Sequence, residues 1–266
     1  MMVTSRNTLP WLEAQVRSCR PIALRYFRSR RLAITHKADH SPVTQADRFI
    51  EERLRAVIAR AFPGDPILGE EYGASRRLGS TYWTIDPIDG TRAFSRGLSY
   101  WGILIGRVER GIPMLGLCDF PALDLTVAVA PGIAAYERSG RTIRRVPRGR
   151  SVPSVAQAVL FHGGLRWWPQ RPLKGLIRLA RTCYFEQVYG DCYAYILALR
   201  GQADAVIDYG VKPWDMVPMA ALARATGRVL TDFHGRPCHT GPESVFGHSH
   251  LVRDICRVLQ HVTSVQ

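Results

Sequence analysis

The chain has 266 residues, of which 46% are hydrophobic and 22% are charged, as in globular proteins with one large or two smaller domains. No apolar run approaches the roughly 18 residues that a membrane-spanning helix needs, and no signal-peptide pattern opens the chain, so we expect a cytoplasmic protein without a membrane segment. The net charge of +14, from 36 Lys and Arg against 22 Asp and Glu, favours encounter with small phosphorylated molecules.

The first half of the chain predicts helices packed on a mostly antiparallel sheet, an α+β arrangement. Apolar residues from Leu12 to Phe27 recur at helical spacing, and Pro21 splits or kinks that run. Thr44 is placed to cap a second helix, which Pro63-Gly64 ends. Short strands are predicted around Ile67 and at Tyr82–Ile85, Gly102–Val108, Met114–Cys118 and Leu125–Val129, with a hairpin turn at Ser139-Gly140.

The second half predicts alternating helices and strands, an α/β arrangement. An arginine-rich stretch before Pro153 is the predicted boundary, which divides the chain into 1–150 and 151–266. Strands are predicted at Val155–Phe161, Cys183–Phe185, Ala205–Ile207 and Val229–Thr231. Helices are predicted at Leu173–Arg181, Asp191–Leu199 and Asp215–Thr226.

The segment from Asp86 to Thr91, which reads Asp-Pro-Ile-Asp-Gly-Thr, carries the strongest chemical signal. Asp is depleted inside strands, so two of them straddling a proline where a strand ends indicate a turn that aims both side chains into one space. Carboxylate oxygens suit Mg²⁺, and a helix beginning at Thr91 would offer free N–H groups to an anion. A metal and a phosphate therefore have one predicted site, although the pattern Asp-Pro-x-Asp-Gly alone is also typical of an ordinary surface turn.

Three further segments decide the interpretation: Thr44–Asp47, the acids Glu70 and Glu71 after a short strand, and Trp214-Asp215 before a helix. With these, the chain resembles the inositol monophosphatase superfamily of Mg²⁺-dependent phosphomonoesterases over roughly 37–235. It is most similar to the histidinol-phosphate phosphatase branch. The segments that carry this similarity are Asp89–Phe94, Trp101–Gly106 and Gly190–Tyr195.

The resemblance implies a fold, an assembly and a division of roles. The expected fold is the layered αβαβα sandwich of the inositol monophosphatase and fructose-1,6-bisphosphatase type, combining the α+β and α/β halves. The half at 1–150 would carry most metal ligands, and the half at 151–266 would supply Asp215 and the substrate pocket. The expected assembly is a homodimer.

The resemblance also implies roles for single residues, with two or three Mg²⁺ ions per site. One ion would be held by Glu70, Asp86 and the Ile88 carbonyl, and a second by Asp86, Asp89 and Asp215. Glu70 and Thr91 would position the attacking water, with Thr91 oriented by Asp47. Substrate contacts are implied for Asp89, Gly90, Thr91, Arg92, Asp191 and Asp208.

Taken singly, these acids have structural interpretations as well. Asp47 is suited to the first turn of its helix, Asp215 to a helix cap, and Glu70 to an exposed loop. Only the joint pattern favours metal ligation.

The implied substrate is histidinol phosphate, whose cationic amine would suit carboxylates at Asp191 and Asp208. The same carboxylates suit hydroxyl groups, so inositol 1-phosphate, adenosine 3′,5′-bisphosphate and sugar bisphosphates stay open. This chain has Asp208 where relatives usually carry Glu, and Trp214 where the histidinol branch more often has Tyr.

Two arginine clusters, at 25–31 and 138–150, raise a hypothesis of another class: a basic non-catalytic scaffold that binds nucleic acid. No nucleic-acid motif accompanies the clusters, and charge runs are commonly solvated faces. The complete acidic set also speaks against a degenerate enzyme. We therefore expect a small phosphorylated metabolite, and not nucleic acid, as the partner.

Overall fold

The computed structural model describes residues 7–29, 34–36, 42–149 and 151–260. The chain divides into two compact units, Met1–Arg145 and Val146–Gln266. Arg30 and Arg31 of the first arginine cluster, Arg150 of the second, and Lys37 at the start of the resemblance lie outside the described residues. No helix in the described part of the chain has the length and apolarity to cross a bilayer.

The described part of the first unit contains four α-helices and ten strands, besides one 3₁₀ turn. The helices are α1 (Thr8–Arg17), α2 (Arg20–Tyr26), α3 (Gln45–Ala61) and α4 (Thr91–Ser95). The strands are β1 (Ile34–His36), β2 (Pro42–Thr44), β3 (Ile67–Gly69), β4 (Gly73–Ala74), β5 (Tyr82–Asp89), β6 (Gly102–Glu109), β7 (Ile112–Phe120), β8 (Leu125–Ala130), β9 (Ile133–Ser139) and β10 (Thr142–Arg145).

Local sequence explains α3, which supports one side of the candidate site. Thr44 caps this helix, because its hydroxyl oxygen accepts the Ala46 N–H at 3.2 Å. Ile50, Leu54 and Ile58 form its fully buried face, at the spacing of an amphipathic helix. The predicted capped helix is confirmed.

The main sheet of the first unit has eight strands in the order β10-β9-β8-β7-β6-β5-β3-β4. Only β3 and β5 pair in parallel, so the predicted mostly antiparallel sheet is confirmed. Trp83, Ile85, Ile103 and Ile105, from β5 and β6, belong to the core of this unit. The buried part of β5 and β6 therefore lies directly next to the acidic segment that begins at Asp86.

The prediction that a strand stops at Ile85 is wrong, because β5 continues to Asp89. Asp86 pairs with Leu104 of β6 and Asp89 with Gly102, so β5 contains one extra residue between these pairs. Residues three apart in a regular strand point to opposite faces, whereas a bulge resets the alternation. The bulge thus allows Asp86 and Asp89 to face the same space, which the sequence analysis expected of a turn.

The described part of the second unit contains four α-helices and five strands, besides two 3₁₀ turns. The helices are α5 (Gln170–Thr182), α6 (Asp191–Leu199), α7 (Pro213–Ala225) and α8 (Ser249–Gln260). The strands are β11 (Val159–His162), β12 (Phe185–Val188), β13 (Ala205–Tyr209), β14 (Val229–Thr231) and β15 (Glu243–Gly247). They form one sheet in the order β12-β11-β13-β15-β14, in which β11 pairs in parallel with both its neighbours.

Two strand predictions in this unit are wrong in position. The strand predicted at Val155–Phe161 begins only at Val159, because a 3₁₀ turn occupies Val155–Gln157. The strand predicted from Cys183 begins at Phe185, because Cys183 still donates its N–H to Leu179 as the cap of α5. In each case a helical turn takes the backbone groups that a strand would need.

Candidate active site

Asp86 and Asp89, the acidic pair at the bulge of β5, are brought together as the sequence predicts. One carboxylate oxygen of Asp86 lies within 4.8 Å of one from Asp89. Both residues are buried, with 3% and 7% of their surfaces exposed. Asp86 also accepts the Ile88 N–H at 3.0 Å, which fixes the orientation of its carboxylate. Because two anions this close repel in a low-dielectric interior, the pair is suited to a shared cation.

Glu70 is positioned by the strand next to this pair. It follows β3, which runs parallel to β5, and its backbone N–H donates to the Ile85 carbonyl at 3.1 Å. Glu70, directly after β3, therefore lies beside Ile85 and next to Asp86 in the adjacent strand β5. Glu70 is half-buried, unlike the exposed loop acid of the alternative interpretation.

The short helix α4 begins directly after the acidic pair. Gly90 precedes it with a φ of 77°, a left-handed conformation that glycine adopts without strain. The Thr91 hydroxyl donates to the Ile88 carbonyl at 3.0 Å. N–H groups in a first helical turn have no acceptor within the helix, so those of α4 are available to an anion. Arg92, in the same turn, is exposed.

Asp47 completes the Thr44 cap of α3, and the hydrogen bonds described for its carboxylate go to Thr44 and not to Thr91. Its Oδ2 accepts the Thr44 N–H at 2.8 Å and the Thr44 hydroxyl at 2.5 Å. Its Oδ1 is buried and has no hydrogen-bond partner within the described residues, and Thr91 donates elsewhere. Burial raises the pKa of Asp47 to about 7; the Thr44 hydrogen bonds oppose this shift, and the charges of Glu71 and Glu70 add to it.

The second unit contains its own acidic group, in which Asp208 is the most buried member. Asp208 lies on β13 with 9% of its surface exposed, and its Oδ1 accepts the Tyr209 N–H at 2.7 Å. Burial raises its pKa to about 7; the Tyr209 hydrogen bond opposes this shift, and the charges of Asp191 and Asp215 add to it. These three carboxylates of the second unit therefore influence each other electrostatically.

Asp191 and Asp215 lie in the first turns of α6 and α7. Asp191 has a φ of 59°, which is unusual for a residue other than glycine and marks a constrained position. Asp215 accepts the Lys212 N–H at 2.7 Å, and its carbonyl accepts the Cys192 thiol at 3.7 Å. Asp215 is therefore not the N-cap, which is Lys212, but the third residue of α7, and one of its two carboxylate oxygens reaches back to complete the cap.

Sequence reasoning missed Glu51, a fully buried acid on α3. Its carboxylate accepts backbone N–H groups from the turn that follows Glu70. A signal was available, because Glu51 stands three and seven residues before Leu54 and Ile58, on the stripe that faces the core.

Described arginines from both basic clusters are bound within the first unit. Arg138 forms an ion pair with the buried Glu13, with 2.5 Å between Nε and Oε1. Arg28 donates to the Gly97 carbonyl at 3.2 Å. These two side chains therefore form contacts within the fold of the first unit, independently of what the remaining arginines bind.

Comparison with known proteins gives concordant matches. A sequence model of the inositol monophosphatase family matches residues 7–262. A histidinol-phosphatase of Mycobacterium tuberculosis is 36% identical over 208 residues, which cover 77% of this chain and 79% of that protein.

Solved structures give the same result for the fold. An inositol monophosphatase from Zymomonas mobilis superposes with a TM-score of 0.83 at 28% identity, over 97% of this chain and 99% of that one. An IMPase/NADP phosphatase complexed with Mg²⁺ and phosphate superposes with a TM-score of 0.86 at 17% identity, over 98% of each chain. The predicted αβαβα fold of the inositol monophosphatase type is confirmed.

Proposed function

The chain belongs to the inositol monophosphatase family of phosphatases, and on that premise we propose that it hydrolyses histidinol phosphate to histidinol and phosphate with Mg²⁺ as cofactor. The observation that carries the proposal is the close, buried pair of Asp86 and Asp89 at the end of β5. Without a cation, two buried carboxylates this close would destabilise the fold, because burial penalises charge and the two charges repel.

The donor set fits Mg²⁺, which prefers hard oxygen ligands. Glu70, Asp86 and the Ile88 carbonyl are proposed to hold one ion, and Asp86, Asp89 and Asp215 a second, with Asp86 shared. When bound, such a metal pair supplies a more acidic water and neutralises the charge that develops on the phosphoryl and leaving groups. A third ion stays a prediction from the family resemblance.

The chain's own groups bind and orient the phosphoryl group and the water. The N–H groups of Gly90 and Thr91, at the start of α4, are proposed to donate to phosphoryl oxygens, with the exposed Arg92 on the outer side. The Glu70 carboxylate and the Thr91 hydroxyl are proposed to orient the attacking water. Asp47 can accept the Thr91 proton only if that hydroxyl turns away from the Ile88 carbonyl, because a hydroxyl has a single proton to donate.

The acids of the second unit are proposed to bind the leaving group, which is the histidinol part of the substrate. The cationic amine of histidinol is complementary to Asp191 and Asp208, and a bound cation would favour the ionised form of Asp208. Inositol 1-phosphate is the second candidate, because the carboxylates also accept hydroxyl protons and the Zymomonas mobilis relative is an inositol monophosphatase. The cytoplasmic location and the homodimer stay predictions.

Phosphate release by the purified protein tests the proposal. It is measured with and without Mg²⁺ on four esters: histidinol phosphate, inositol 1-phosphate, adenosine 3′,5′-bisphosphate and fructose 1,6-bisphosphate. We expect Mg²⁺-dependent release that is fastest for histidinol phosphate. Selectivity for another ester would contradict the substrate and retain the chemistry.

No release from any ester would contradict the proposed chemistry. The scaffold hypothesis is tested separately, by retention of the protein on immobilised nucleic acid as salt is raised. Salt-dependent retention that Asp86→Asn leaves unchanged would support the scaffold, whereas a lack of retention would exclude it.

A further inference from the structure

Glu51 is a buried charge that the proposed reaction does not use. It lies on α3 with none of its surface exposed. A buried carboxylate is costly unless its oxygens are hydrogen-bonded and its charge is paired. Both conditions are met here, and the groups that meet them lie in or around the turn that carries Glu70.

The Glu51 carboxylate binds the backbone of that turn directly. Its Oε2 accepts the Glu71 N–H at 2.7 Å, and its Oε1 accepts the Tyr72 N–H at 3.2 Å. These are the two residues that follow Glu70, between the end of β3 and the start of β4. One buried side chain on a capped helix thereby binds the peptide units next to a proposed metal ligand.

Arg55, one helical turn after Glu51, completes the arrangement. Its Nε donates to Glu51 Oε1 at 2.7 Å and neutralises the buried charge. The same guanidinium donates to the Ile67 carbonyl at 3.5 Å and to the Gly73 carbonyl. The Glu51 and Arg55 pair thus holds both strands, before and after the turn.

Gly69 provides the space for this contact. A Cβ at Gly69 would lie 1.9 Å from Glu51 Oε1 and 2.8 Å from an Arg55 nitrogen, well inside normal contact distance. A larger residue would therefore push the carboxylate off the N–H groups that it binds. The absence of a side chain at this position is a requirement of the contact, one residue before Glu70.

We propose that Glu51 is a positioning residue for the metal site: through the Glu71 and Tyr72 N–H groups it holds Glu70 in the orientation that binds Mg²⁺. The inference rests on the proposed function, in which Glu70 is a metal ligand. Partners that orient metal ligands typically contribute about 10–100-fold to metal affinity. Loss of the Glu51 contact should therefore weaken Mg²⁺ binding without removing any ligand.

The test compares Glu51→Gln with Glu52→Gln. The control removes the charge of the neighbouring acid on the same helix, which is exposed. Among the described residues, Glu52 accepts the Tyr72 hydroxyl at 3.0 Å and no backbone N–H of the turn. In metal-free protein, we expect faster hydrogen exchange in a peptide spanning 69–73 for Glu51→Gln and wild-type exchange for the control. In calorimetric titration with MgCl₂, we expect about 10-fold weaker binding for Glu51→Gln alone.

Kinetics separate positioning from general damage to the fold. The Mg²⁺ concentration for half-maximal activity should rise about 10-fold in Glu51→Gln, while turnover at saturating Mg²⁺ recovers to near the wild-type value. Gly69→Ala should reproduce both effects with the Glu51 carboxyl chemically intact, and it serves as the decisive variant if Glu51→Gln does not fold. Wild-type Mg²⁺ affinity in a folded variant would overturn the inference.

Measurements on the wild-type protein and on the two variants distinguish failure of the proposed function from failure of the inference. Wild type that neither binds Mg²⁺ nor hydrolyses the esters overturns the proposed function, and the inference falls with it. Wild type that does both, beside Glu51→Gln and Gly69→Ala proteins with unchanged Mg²⁺ affinity, overturns the inference alone.

Discussion

The Asp208 carboxylate lies against the backbone of Gly163, so closely that a Cβ at Gly163 would stand 2.0 Å from Asp208 Oδ1. The N–H of Gly163 donates to the Ile207 carbonyl at 3.2 Å, which fixes this backbone beside β13. The Asp208 carboxylate therefore occupies space that any side chain at Gly163, directly after β11, would fill. This close packing gives Asp208, which is proposed to bind the substrate, a defined orientation.

Gly163→Ala should displace the Asp208 carboxylate and lower kcat/KM for histidinol phosphate by about 10-fold, since a misplaced ionic partner loses on the order of 1.4 kcal/mol. The half-saturating Mg²⁺ concentration should stay near the wild-type value, because neither residue is a proposed ligand. Gly164→Ala is the matched control, since a Cβ there meets nothing within 4 Å. Equal losses of kcat/KM in both variants would contradict a specific role for Asp208.

The raised pKa of Asp208 predicts a pH dependence of stability. Its folded pKa of about 7 lies above the value of 3.8 for an ordinary Asp, so between these values the folded protein binds the extra proton. The free energy of unfolding should therefore fall as pH rises through this window and level off above about pH 7. From about pH 5 to about pH 7 the Asp208 contribution is about 2 kcal/mol.

Asp208→Asn should remove this contribution, because an amide does not titrate. Urea unfolding of metal-free protein at the two pH values measures it, with EDTA present throughout. The difference between wild type and Asp208→Asn isolates Asp208 from the buried Asp47, which changes stability in the same direction. An identical pH slope in both proteins would show that Asp208 is ionised in the folded state near pH 5.

Asp86→Asn should lower Mg²⁺-dependent turnover by at least about 100-fold, because it removes a proposed shared ligand. The metal-free variant should melt at a higher temperature than wild type, since the repulsion between Asp86 and Asp89 is removed. Glu109→Gln, a change at the far end of β6, should leave turnover unchanged; it removes an ion pair with Arg107, so it is a control for activity and not for the melting temperature. Circular dichroism melts and phosphate release measure the two effects, and unchanged turnover would disprove the metal assignment.

Phe94→Ala should destabilise the protein by about 3–5 kcal/mol, because it opens a cavity under α4. Phe94 is fully buried, with its ring centroid 4.8 Å from that of Trp101 and 5.7 Å from that of Phe27. Leu98→Ala, just after this helix, removes a side chain that is 44% exposed and should change stability by less than about 0.5 kcal/mol. Urea unfolding followed by far-UV circular dichroism distinguishes the two variants.

The sequence by itself determined the features that depend on neighbouring residues. The helix Asp191–Leu199 was predicted with the bounds that α6 has, and the cap at Thr44 was predicted from its place before an apolar periodic run. The family also followed from sequence, because its acidic segments are short motifs whose residue types and order can be read directly. Capping and helical periodicity act over a few residues, so a local pattern contains their cause.

Only the tertiary structure decided which of these residues act together. The extra residue between Asp86 and Asp89 exists only relative to Leu104 and Gly102 on β6, so no inspection of the acidic segment reveals a bulge. The position of Glu51 on the core-facing stripe of α3 indicates burial, but only the structure shows that its carboxylate binds the backbone of a distant turn. Strand register and burial depend on residues that are remote in the chain. Together they bring the separate acids into one candidate site.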